Sequence, residues 1–249
     1  MNEDNRKEIR ISVRNLVEFV LRSGDIDNRR SASAQKDAML AGGRIHRKIQ
    51  KRMGSGYRAE VPLKHKVRDE EQEITLLVEG RADGIFKEND ISVIDEIKGM
   101  YTDVSRLESP IEIHLAQAMC YGYFYCCEKD LDGIRLQMTY CNLETEEIKR
   151  FQTDRSREEL EIWFSGVAHE YFKWARYLCH HELTRDASIR QLEFPFPYRA
   201  GQRDLVVAVY RTVSRKKRLF IQAPTGIGKT LSTVFPAVRA IGEGKGDKL

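Results

Sequence analysis

Residues 73–86, EITLLVEGRADGIF, and residues 91–100, ISVIDEIKGM, carry the reading that decides the fold. Both are rich in Val, Ile and Leu, and turn-forming residues separate them, so they read as neighbouring strands. Upstream, YRAEVPLKHKV at 57–67 has the same two-residue period and completes a three-strand meander. Side chains on a strand alternate faces, so Glu96 and Lys98 share one face while Val93, Asp95 and Ile97 take the other. Asp83 closes the second strand. If the two strands pair, the carboxylates of Asp83 and Glu96 meet at one spot.

Before the meander, residues 12–22, SVRNLVEFVLR, pair a Ser12 cap with Val13, Leu16, Val17 and Val20 at helical spacing. A second helix is expected from about Lys36 to Met53, basic at Arg44, Arg47, Lys48, Lys51 and Arg52, with Gly42 and Gly43 putting its continuity in question. After the meander come a helix over 111–128, strands over 134–143 and 146–153, and a long helix over 156–182. That order describes an α/β fold with a mixed central sheet flanked by helices. Residues 184–197, with Pro195 and Pro197, read as a linker. Beyond it are expected a helix over 200–214, a short strand RLFIQA at 218–223, a Gly-rich turn, a helix from Lys229 and a tail, GEGKGDKL. The division is thus 1–183, 184–197 and 198–249.

Hydrophobic residues at 41% and charged residues at 32% suit a water-exposed globular chain, and the polar start MNEDNRKEIR is unlike a signal peptide. No membrane partner is expected, and a cytoplasmic location follows by default. The net charge of +4 permits nucleic acid as a partner without arguing for it. The five cysteines, Cys120, Cys126, Cys127, Cys141 and Cys179, are odd in number and lack a C-x-x-C spacing, which suits reduced, buried thiols.

Two hard carboxylate ligands at one spot suit Mg²⁺ or Mn²⁺. Water held by such an ion is easier to deprotonate, and the ion offsets charge building on a phosphate. Lys98 beside them can orient the attacking water and stabilise the pentacovalent state. Gln117 and Tyr121 lie four apart on the next helix, with His114 one turn earlier, a face suited to a DNA strand. His46, on the basic helix, can add a nitrogen ligand, and the Arg and Lys residues around it can track a phosphate backbone. Each feature alone is ordinarily structural: an E-x-K strand is most often a surface ion pair, a basic run a solvated face, a lone His a satisfied polar residue. Order and spacing together carry the reading. Asp95 should face away from the site, and Glu60 and His114 stand as candidate helpers.

Gly80-x-x-Asp83, then Glu96-x-Lys98, then Gln117-x-x-x-Tyr121, with His46 upstream, resembles the RecB-like branch of the PD-(D/E)XK nucleases over roughly residues 12–183. The resemblance implies a restriction-endonuclease-like sheet, with Asp83, Glu96 and His46 as metal ligands and Lys98 as the catalytic lysine. Gln117 and Tyr121 would support substrate binding. Some of these nucleases carry a four-cysteine iron–sulfur cluster. Here no cysteine precedes Cys120 and Cys179 stands alone, so no cluster is expected in this segment.

The stretch Ala223-Pro-Thr-Gly226-Ile-Gly228-Lys229-Thr230 follows an apolar run and opens a helix, the context a phosphate-binding loop needs. Backbone amides at Gly226 and Gly228 can face phosphates, Lys229 can reach the β and γ groups, and Thr230 can hold Mg²⁺. Upstream, PYRAGQ at 197–202 resembles the adenine-reading Q motif of superfamily-two helicases, with Gln202 on the adenine edge. The pair is similar to the DinG/XPD helicases. The chain stops 19 residues past Thr230, before any acidic Walker B motif or second motor lobe, and so reads as a fragment of a longer protein. An incomplete P-loop helicase lobe, with ATP used only by the complete helicase, is expected.

The function that follows is a metal-dependent deoxyribonuclease of repair or processing, acting on single strands or ends, with exonuclease the favoured mode. Two alternatives remain open: an inactive nuclease-fold module that grips DNA to guide the motor, and a plain ATP-dependent helicase with a structural N-terminal part.

Overall fold

The meander forms as expected, and the chain adds a strand to it that the sequence pattern hides. The computed structural model describes residues 7–24, 32–69 and 74–246, with the backbone alone described for 32–39. The polar stretch that follows Gly24 lies largely outside the described residues, as does the end of the tail. Two units divide the chain, Met1–Ala175 and Arg176–Leu249.

In the first unit, β1 (Lys7–Ser12) runs directly into α1 (Val13–Val20), where the Ser12 hydroxyl accepts from the Asn15 amide at 3.1 Å and so caps the helix. Val13, Leu16 and Val17 point inward and are fully buried. The helix α2 (Ala32–Arg52) passes through Gly42 and Gly43 without a break. Then β2 (Arg58–Asp69), β3 (Ile74–Glu88) and β4 (Ile91–Met100) form the antiparallel meander. Next, α3 (Glu112–Lys129) joins β4 to β5 (Gly133–Asn142), which pairs parallel to β4. β6 (Ile148–Ser156) lies antiparallel to β5, and α4 (Arg157–Arg190) follows. The result is a mixed α/β sheet of order β1-β3-β4-β5-β6, with β2 on the other side of β3. Among the described residues no helix is long and apolar enough to cross a membrane. All five cysteines are free thiols.

The fifteen-residue β3 organises the sheet. Its first half pairs parallel with β1 through Glu79, and its last five residues pair with β4 from Gly84 onward. Between them lie Gly80, Arg81, Ala82 and Asp83, where β3 has left β1 and not yet met β4. The sheet is forked there, and the fork opens beside Glu96 and Lys98 of β4. Two helices close on β4 from opposite faces. Ile45 and Ile49 of α2 pack with Ile97 and Cys141, while Gln117 of α3 meets Lys98. Burying this small aliphatic cluster stabilises the docking of α2 by roughly 1.5–3 kcal/mol per fully buried side chain.

In the second unit, the C-terminal part of α4 remains helical through Arg190, across the first half of the stretch 184–197 expected as a linker. Thr184 and Ser188 donate their hydroxyls to the carbonyls of His180 and Arg185 within the helix, so polar side chains that suggested a loop are accommodated by it. α5 (Gln202–Ser214) and α6 (Lys229–Gly242) pack together. The expected strand at 218–223 does not form: those residues have no ladder, and Leu219, Phe220 and Ile221 are exposed. A strand needs a hydrogen-bonding neighbour, and the described residues offer it none.

Candidate active site

Four elements bring the predicted residues to the fork. Gly84 of β3 pairs with Asp95 of β4, so Asp83 stands next to Glu96 in that register. One Asp83 oxygen accepts from the Ile97 amide at 2.7 Å, and the other lies 3.2 Å from His46 Nδ1. Lys98 Nζ donates to Glu96 Oε1 at 2.8 Å and to Gln117 Oε1 at 2.7 Å. The second Glu96 oxygen, Oε2, is buried with no hydrogen-bond partner. A buried carboxylate oxygen left bare is costly, and it marks where a cation or a donor from a ligand fits.

Electrostatics follow this geometry. Burial pushes the Glu96 carboxyl well above the usual carboxylate range; Lys98 pulls against that rise and the charge of Asp83 adds to it. For His46, burial pulls the imidazole down, but the hydrogen bond and charge of Asp83 outweigh it and the net shift is upward. Asp95 faces away from the site and is fully buried. It accepts from Thr139 at 2.6 Å, Tyr57 at 2.9 Å and Gln137 at 3.1 Å.

Among the described residues no group of three His, Cys, Asp or Glu side chains stands ready to hold a metal. Of the expected trio, His46 is engaged with Asp83 and Glu96 with Lys98, because each buried carboxylate takes the nearest donor. Gln117 and Tyr121 are more than nine-tenths buried. Gln117 holds Lys98, and Tyr121 lies across Gly80, where an added Cβ would stand 2.6 Å from its hydroxyl oxygen. As placed, both brace the site and present little surface to a strand. On α2, Arg44, Arg47, Lys48, Lys51 and Arg52 are exposed, and Lys48 is paired with Glu146. Glu60 is exposed opposite Asp83 and lies near Arg81.

His114, one turn before Gln117, has its Nδ1 buried without a partner. Burial, with the charges of Lys98 and Arg14, holds its imidazole down at about 4. An unfolded chain protonates a His near 6.5, so the unfolded state binds the extra proton below that pH and the folded state does not until about 4. Stability therefore falls as the pH drops through this window. Urea unfolding is expected to lose about 2 kcal/mol more in the wild type than in His114→Phe between about pH 7 and about pH 4.5. Parallel losses in both proteins would remove His114 as the source.

In the second unit, Gly226 and Gly228 adopt φ of +85° and +79°, the left-handed backbone that a phosphate loop's curl requires. Lys229 Nζ donates to the carbonyls of Ala223 and Pro224, each at 3.0 Å. Gln202 is buried against this loop: a Cβ on Gly228 would lie 2.7 Å from its Nε2, and its Oε1 accepts from the Arg199 amide at 3.0 Å. Arg199 in turn donates to the Gly226 carbonyl. Gln202, Gly226, Gly228 and Lys229 thus come together, with Thr230 next in the chain at the start of α6.

The sequence pattern missed Gln50, whose Nε2 donates to the Asp83 carbonyl at 2.9 Å. Its one signal was a spacing of four from His46 on the same helix.

Similarity to known proteins is thin. The chain matches no protein-family model. A 47-residue stretch, 18% of the chain, is 38% identical to a probable ATP-dependent helicase of Methanocaldococcus jannaschii, and it spans only 7% of that protein's length. The crystal structure of SSO0001 superposes with a TM-score of 0.47 and 16% identity, covering 70% of this chain and 78% of the other, too loose a likeness to bear on fold or function. A link to helicases, resting on the short stretch, is what these similarities support.

Proposed function

We propose that the first unit is a metal-dependent deoxyribonuclease that hydrolyses phosphodiester bonds, joined to part of an ATP-binding helicase lobe. The observation that carries this reading is the bare, buried Glu96 Oε2 beside Asp83, with the Lys98 amine held against the same carboxylate. Asp83 and Glu96 offer hard oxygen donors that fit Mg²⁺ or Mn²⁺, and His46 supports Asp83 from α2. When bound, such an ion supplies charge against the phosphate and a lowered pKa for water. The chain's own part is to fix the two carboxylates at the fork and to aim the Lys98 amine, through Gln117, at the negative charge that develops on phosphorus oxygens. The exposed cations of α2 give a track for the DNA backbone. In the second unit, Gln202 against the loop of Gly226, Gly228 and Lys229 fits adenine and phosphates of ATP.

The test is direct. Purified protein is expected to cut end-labelled single-stranded DNA with Mn²⁺ and to stop on adding EDTA. Asp83→Ala is expected to reduce cutting by about a thousandfold. Cutting that survives Asp83→Ala would remove this site from the explanation. The second reading, a module that grips DNA without cutting it, draws on the lack of a three-ligand cage among the described residues. Salt-dependent DNA binding with no cleavage at any Mn²⁺ concentration would favour it.

A further inference from the structure

The strand ladder fails on both sides of Asp83. On the β2 side, Ala59 pairs with Gly84 and Val61 with Ala82, and the residue between them, Glu60, has φ of +54° and makes no ladder pair with Asp83. On the β4 side, pairing with β3 stops at Gly84 and Asp95. Asp83 is thus a strand residue without a strand partner, and its backbone carbonyl must find a donor elsewhere.

Helix α2 supplies it. Gln50 Nε2 donates to the Asp83 carbonyl at 2.9 Å and reaches Glu60 Oε1 at 3.3 Å. One turn earlier, His46 Nδ1 meets the Asp83 carboxylate at 3.2 Å. These two side chains lie four apart and so share a helix face. The neighbouring pair, Ile45 and Ile49, fixes that helix on Ile97 and Cys141. The side chain and main chain of Asp83 are therefore gripped by one rigid helical turn, and the Ile97 amide completes the hold on the carboxylate.

We propose that Gln50 is a positioning residue of the centre: it replaces the missing ladder bond at Asp83 and so sets the direction of the Asp83 carboxylate. Its value for catalysis rests on the nuclease reading; its hold on Asp83 does not. Gln50→Glu keeps the shape of the side chain and exchanges the donor for an acceptor, and Gln50→Leu removes polarity at similar volume. Both variants are expected to lower the single-turnover cleavage rate at saturating DNA and Mn²⁺ by about tenfold or more. KM for DNA should stay unchanged, because Gln50 is engaged with the Asp83 main chain and Glu60 and acts through them.

A second readout is independent of cleavage. In ¹⁵N-resolved NMR spectra of the metal-free protein, the Ile97 amide proton should shift and exchange with solvent about tenfold faster in both variants, since its acceptor is released. Amides of α1 and β6 should not change. If the wild type cuts nothing but the Ile97 amide responds, the nuclease reading falls and the hold on Asp83 stands. An Ile97 amide unmoved in Gln50→Glu overturns the proposal, as does wild-type turnover in that variant where the wild type itself cuts. Global loss of amide protection in Gln50→Leu alone would assign packing, not donation, to this position and would also overturn it.

Discussion

Lys98→Met is expected to lower metal-dependent DNA cleavage by about a hundredfold to a thousandfold, with DNA affinity close to that of the wild type. The Lys98 amine brings a positive charge to the fork and is aimed by two acceptors, Glu96 at 2.8 Å and Gln117 at 2.7 Å. Methionine keeps the apolar stem and removes the charge. Its removal also leaves Glu96 without its cation, which in a buried site is ordinarily severe. Here the carboxyl has an outlet, because burial already holds its pKa well above the usual range and loss of Lys98 moves it further up. Glu96 is then protonated near neutral pH, and the fold survives with a modest fall in melting temperature. Lys98→Met and Glu96→Gln should fail to add: the double variant is expected to cut no more slowly than the worse single one, since the two groups act as a unit. Single-turnover rates and melting curves on the four proteins settle it. Rates that multiply would place Lys98 and Glu96 in separate roles.

Much of this centre was legible in the sequence because strand alternation is a rigid rule. Placing Glu96 and Lys98 on one face and Asp95 on the other needed only the period of two, and the structure puts Lys98 on Glu96 while Asp95 is buried among Tyr57, Thr139 and Gln137. What stayed hidden depends on partners distant in sequence. KEIRIS, over Lys7–Ser12, is too short and too charged to announce itself, and it becomes a strand by lying parallel to Ile74–Glu79. RLFIQA has the composition of a strand but no ladder among the described residues, since propensity cannot replace a neighbour. The hold of Gln50 on Asp83 follows from a ladder broken at Glu60, and nothing local in GYRAEV signals that break. The burial of Gln117 and Tyr121 was hidden for a related reason: α3 lies against β4 and β5, and its apolar character runs around the helix rather than along one face.

Gly84→Ala is expected to destabilise the first unit by about 3 kcal/mol, a fall in melting temperature of roughly 6–12 °C. Gly84 sits on β3 between Ala59 of β2 and Asp95 of β4. A methyl group there would overlap the hydroxyl and Cζ of Tyr57. The ring has little freedom to retreat, because it stacks on Phe86 with centroids 5.8 Å apart. Displacing it strips Asp95 of one of three donors, and Asp95 is a carboxyl with no exposed surface. Overpacking and the lost bond to a buried acid act together here, each in the range of 1–3 kcal/mol. Tyr57→Phe isolates the second contribution, since it removes the hydroxyl alone, and should account for about half of the effect. In a Tyr57→Ala background the clash has no partner, so adding Gly84→Ala should then cost under about 1 kcal/mol. Urea unfolding of the wild type and the four variants, without DNA or metal, separates these effects from those on cleavage. If Gly84→Ala is as damaging with Ala at 57 as with Tyr, the close approach of Tyr57 to β3 is not what requires glycine.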